Sequence, residues 1–176
     1  MKNEKLLYLF TLVFFLFVLK TSVFAQSNYV LPYPSSMPGS FSYKIHLIYE
    51  SVSKYWYFGD FGQFDYNLKL ADKYLVEAKI LFEYKQYLLG YKALEKSNRY
   101  FVNIPLNLAK AKEDGKDISQ RRKILEESAQ KHIEILSELQ GKLPPSFLWT
   151  PENAKSTNLN LEEMMGKSIK IRAGSL

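Results

Sequence analysis

The chain has 176 residues, 47% of them apolar and 24% charged, with no cysteine and a formal net charge of +6. That length is enough for one domain with a sizeable core, and the missing cysteines exclude disulfides, a cysteine nucleophile and lipid attachment through a lipobox. Lysines and glutamates interleave along the chain instead of clustering, which reads as a solvated helical surface and not as a nucleic-acid stripe.

The first 25 residues carry Lys2 and Lys5, an uncharged run from Leu6 to Leu19, and Val23-Phe24-Ala25. A basic start, a short apolar stretch and a small residue at the cut predict a secretory signal peptide cleaved after Ala25. The run falls short of the roughly 20 residues of a membrane span; an uncut anchor is the alternative, because Val23 is a poorer small residue than alanine there. Cleavage leaves 151 residues with 21 basic and 17 acidic side chains, a net charge of +4. The predicted location is therefore secreted or extracytoplasmic, in a cell envelope, with contact to membrane only through the signal peptide if it stays uncut.

Residues 26–40 hold prolines at 32, 34 and 38 and form an extended strap. Ser40 is placed to cap a first helix through Phe58, whose Ile45, Tyr49, Val52 and Trp56 make one apolar stripe. Gly59 and Gly62, with Asp60 between them, are expected to end it. A second helix from about Asp65 to Lys85 carries Leu68, Ala71, Leu75, Ala78 and Phe82 as a seam. A turn around YKQYLLGY separates it from a third, with Leu94, Ser97, Phe101, Ile104, Leu108 and Ala111, in which Pro105 should kink the helix or split off its last turns. Gly115 breaks the chain, Asp117 and Gln120 resemble a capping box, and Leu125, Ala129, His132, Leu136 and Leu139 line a fourth helix stopped by Gly141 and Pro144-Pro145. The fold class is all-α: an up-down antiparallel bundle of about four helices over residues 41–143. Residues 144–176 read as an irregular tail with room for a short helix near Leu159 to Ile171.

Residues 54–64, KYWYFGDFGQF, place six aromatic rings in eleven positions. A tight Gly-Asp-Phe-Gly turn that packs Phe61 and Phe64 under the end of the bundle explains most of them as hydrophobic payload. The functional reading is an exposed contact patch of Tyr55, Tyr57, Phe58, Asp60, Phe61 and Gln63, joined by Tyr29, Tyr33 and Trp149. His46 and Glu50 stand at i and i+4, too few for a metal site, and no metal or other cofactor is expected. His132 reads as a hydrogen-bonded core residue with Ser97 and Ser128 as partners. Glu77, Glu83, Glu95, Glu126, Glu127, Glu134 and Glu138 fall off the stripes onto solvated faces, and no catalytic grouping or phosphate loop is visible, so the chain reads as not an enzyme.

Leu31-Pro32-Tyr33-Pro34, then Met37 to Lys44 as MPGSFSYK, then Leu70 to Ala78 as LADKYLVEA, together resemble a family of exported bacterial α-helical domains of unknown function. The likeness covers about residues 29–141. It implies a secreted or membrane-tethered helical domain, attached in some relatives to a membrane segment and linked to envelope sensing or regulation, with no catalytic residues to carry over. The function expected is a non-enzymatic binding or scaffold module that contacts an envelope protein or surface polymer, or self-associates, and no nucleic acid. The alternatives are an envelope stress or metal sensor using His46, Glu50 and His132, and a wall-glycan enzyme with two inward acids.

Overall fold

The computed structural model describes residues 27–33, 38, 41–153 and 155–176; the expectations for residues 1–25, for Ser40 as a cap and for much of the strap lie outside them. Helix α1 (Phe41–Ser53) leads through a 3-10 turn (Lys54–Trp56) into α2 (Gly59–Glu83). Then come α3 (Tyr87–Glu113), α4 (Ser119–Lys142), strands β1 (Ser146–Trp149) and β2 (Thr157–Asn160), and α5 (Leu161–Ala173). Among the described residues the molecule is mostly helical, with one small antiparallel sheet.

Every residue of the seams predicted for the second, third and fourth helices is buried. Their spacing of three and four puts each set on one helix face, and those faces meet. The boundaries moved where glycine does a different job from the one expected. Gly59 and Gly62 do not end the first helix; they open α2. Gly59 sits at φ +68°, and a side chain on Gly62 would run into the backbone of Tyr57 at 2.7 Å. The break before α3 comes from Lys85 in the left-handed region at φ +58°, while Gly90 lies inside α3 under the Phe82 ring, where a Cβ would meet ring carbons at 2.8 Å. Helix α3 runs through Pro105 without splitting. Asp117 accepts a hydrogen bond from the backbone of Ser119 at 3.0 Å and from its hydroxyl at 2.6 Å, a local turn in place of a capping box with Gln120.

The C-terminal segment is ordered. Phe147 pairs with Leu159 and Trp149 with Thr157 across β1 and β2, and Phe147 packs on Tyr87 with ring centres 4.6 Å apart. Asn160 then caps α5: its side-chain oxygen accepts from the Glu163 backbone at 3.1 Å, and its amide donates to the Glu163 carboxylate at 2.9 Å. Leu161, Met164 and Met165 of α5 complete the core.

That core is divided. One apolar cluster gathers Leu75, Ala78, Phe82, Leu94, Leu136, Leu139 and the residues of α5; a second gathers Phe64, Leu68, Ala71, Phe101, Ile104, Leu125 and Ala129; a third, smaller one is Tyr66, Leu70 and Tyr74. Between the two larger ones, on α2, α3, α4 and α5, lie buried polar residues: Asp72 on α2, Ser97 and Asn98 on α3, Ser128 and His132 on α4, Ser168 and Arg172 on α5.

Helix α1 departs most from expectation. Ile45, Tyr49, Val52 and Trp56, the stripe expected to face the core, are all exposed. Tyr43 and Ser53 are buried, and Glu50 is turned toward α2. The inward side of α1 is polar and its apolar side faces solvent.

Candidate functional site

The buried polar layer is built on His132, which has no exposed surface. Its Nδ1 stands 3.3 Å from Nε of Arg172. A guanidinium N–H can only donate, so Nδ1 accepts and the ring proton sits on Nε2. Nε2–H then donates to Oδ1 of Asp72 at 2.7 Å. Asp72 also accepts from the Tyr29 hydroxyl at 2.6 Å and from Ser128 at 3.4 Å. Arg172 donates further to Asn98, to the Ser168 carbonyl at 3.1 Å and to Ser97 at 2.8 Å, and its guanidinium lies 4.8 Å from the Phe101 ring centre. Ser97 and Ser128 therefore flank His132 one bond away, as partners of Arg172 and Asp72, and are not its own partners as expected.

Burial sets the protonation of this layer. Removal from water, with the charge of Arg172 adding to it, pushes the His132 pKa below its ordinary value against the opposing bond to Asp72. Burial also brings Arg172 down to about 9, still above neutral pH. The layer is thus a carboxylate and a guanidinium bridged by a neutral imidazole whose two nitrogens are both occupied. In that arrangement His132 has no free nitrogen to exchange a proton with an outside molecule. What the layer can do is fix register: four helices must align to satisfy it.

A second polar cluster lies beneath α1. The Glu50 carboxylate pairs with Lys73 and accepts from the Tyr74 hydroxyl at 2.7 Å. Tyr43 donates to Glu77 at 2.8 Å, and the other oxygen of Glu77 has no hydrogen-bond partner among the described residues. Burial raises the Glu77 pKa, with Tyr43 and Lys73 working against it. Glu77 is therefore not on a solvated face, as its spacing suggested. Two acids of this cluster do turn inward, as glycan cleavage would need, but Glu50 belongs to α1 itself and is bonded to Tyr74, and Glu77 is covered by Tyr43 of α1. Lys73 and Lys96 lie 4.7 and 4.9 Å from the Tyr74 ring centre, and that ring stacks on Tyr100 at 5.8 Å.

The residues expected in the contact patch separate into two groups. Tyr55, Phe58 and Tyr33 are 75%, 81% and 93% exposed. The others are engaged. Asp60 pairs with Lys116 at 2.8 Å, Phe61 lies under the Arg121 guanidinium at 4.0 Å, and Gln63 donates to the Tyr57 carbonyl at 2.6 Å. The Tyr57 ring leans on Tyr66 at 5.5 Å. Trp149 is half-buried against the cluster around Leu81 and Phe82, near the far end of α2 from Phe61, so it does not join the aromatic turn. Tyr29 is tied to Asp72 instead.

His46 is exposed on α1, whereas Glu50, its neighbour at i+4, is committed to Lys73 and Tyr74. Among the described residues no three His, Cys, Asp or Glu side chains gather as a metal site, and no helix is long and apolar enough to cross a membrane. Comparison with family models, curated proteins and solved structures gave no match.

What sequence reading missed is the solvent-facing stripe of α1. Phe41, Ile45, Ile48, Tyr49 and Val52 fall within an arc of about 100° at helical spacing, all of them exposed, and Tyr55, Trp56 and Phe58 extend the surface beyond the helix. The available signal was the other side of the helix, where Tyr43, Glu50 and Ser53 recur at the same period.

Proposed function

We propose that the chain is an exported, non-enzymatic binding module of a cell envelope, an up-down helical bundle behind a cleavable signal peptide and a proline-rich strap. Its contact surface is the outward side of α1 with the aromatic turn that follows. One observation carries this reading: an apolar stripe of large side chains faces water on a helix whose polar side is bonded inward. Contiguous apolar surface of that kind on a folded chain marks an interaction site. The buried ionic layer is read as scaffold, because its members satisfy one another.

The test is site-specific photocrosslinking in producing cells. A crosslinker at position 55 or 58 should yield adducts that the same group at the exposed Tyr84, in the loop between α2 and α3, does not. Equal yields at all three positions, or none at 55 and 58, would remove the reading.

A further inference from the structure

Resting on that reading of α1 as the contact face, we infer that its occupant is the surface of an anionic phospholipid bilayer, on which α1 lies flat. The outward arc holds aliphatic side chains along the helix, Ile45, Ile48 and Val52, and aromatic ones at its end, Tyr55 and Trp56. Aliphatic residues suit the acyl boundary, and tryptophan and tyrosine suit the headgroup level above it.

Charge separates this occupant from others. Lys44 is exposed beside the arc, as is His46, whereas Lys54 follows in the 3-10 turn, where its carbonyl accepts from Gln63 of α2. The only acid between residues 41 and 59 is Glu50, and its carboxylate is bonded inward to Lys73 and Tyr74. The outward face therefore carries no free carboxylate and is bordered by a lysine, which suits anionic headgroups.

An amphipathic helix of 13 residues can lie flat on a lipid surface by inserting its apolar side a few ångströms into it. The uncharged run Leu6–Leu19 lies 22 residues ahead of Phe41 in the chain, so export would bring α1 to a bilayer early.

The experiment uses the full chain with Trp149→Phe, which leaves Trp56 as the sole tryptophan. The protein is mixed with phosphatidylglycerol vesicles whose acyl chains are brominated, and Trp56 emission is read. That readout is local, so vesicle binding through Leu6–Leu19 does not imitate it. The expected result is emission quenched at least twofold, with quenching lost in Ile48→Glu/Val52→Glu even where that variant still sediments with the vesicles. Unquenched Trp56 in folded protein at vesicle excess would overturn the inference. So would equal quenching by brominated phosphatidylcholine alone, or a dimer in sedimentation equilibrium that Ile48→Glu/Val52→Glu dissolves. If Trp56 stays unquenched while crosslinks at 55 and 58 persist in cells, the lipid occupant falls and the binding-module reading stands. If both are absent, both fall.

Discussion

Arg172 is a fully buried guanidinium, tolerated because Asp72 supplies the opposite charge through neutral His132 and because Ser97, Asn98 and the Ser168 carbonyl take its remaining protons. Arg172→Ala removes the cation and leaves the Asp72 carboxylate buried with only the neutral donors His132, Tyr29 and Ser128. We expect it to cost about 3–5 kcal/mol in urea denaturation; a loss below about 1 kcal/mol would show that the layer relaxes freely. His132 adds a pH dependence whose sign follows from its lowered folded pKa. Between that value and the ordinary one near 6.5, the unfolded chain binds more protons than the folded one. Its contribution is therefore complete above about pH 6.5 and declines as the pH falls below it, by at most about 1.4 kcal/mol per pH unit. Urea midpoints from pH 8 to pH 5 should show that decline, and His132→Gln should flatten it. Glu77 works in the opposite direction, because its raised pKa costs stability as the pH rises past its ordinary value of 4.5.

Periodicity in the sequence located α2, α3 and α4 because each carries a seam on one face and polar residues elsewhere, the pattern that burial against neighbours selects. It misplaced α1 for the same reason. A stripe of Ile45, Tyr49, Val52 and Trp56 says that one side is apolar and nothing about what covers it. The C-terminal elements were only partly legible, although Asn160 and Glu163 have the spacing of an N-terminal cap and Leu161, Met164 and Met165 follow it. The four-residue strands of that segment are too short for alternation to separate them from loop. In the buried layer His132 was legible as a core residue, but Asp72 and Arg172 each look like ordinary surface charges until tertiary packing brings them together across 100 residues of chain. Glycine carried the opposite ambiguity, since turn and close contact both call for it. Gly90 belongs to the second kind, so Gly90→Ala should press into the Phe82 ring and cost about 1–3 kcal/mol in thermal unfolding. No loss would mean that Phe82 has room to move.

At the scale of the molecule, the two larger apolar clusters are joined by one polar layer. Four helices are fixed in register by that layer, and α1 is laid across α2 through Tyr43, Glu50 and the 3-10 turn. The ionic groups that resemble chemistry in sequence or in space are consumed in holding this body together, whereas the apolar groups of α1 contribute little to it. The functional account rests on that inversion. Thermal unfolding of Ile48→Glu/Val52→Glu beside the parent chain tests it most directly. The account predicts a change within about 1 kcal/mol, as for two substitutions at solvent-facing positions. A loss above about 4 kcal/mol, the mark of charges forced into a core, would contradict it and return the stripe of α1 to the inside of the protein.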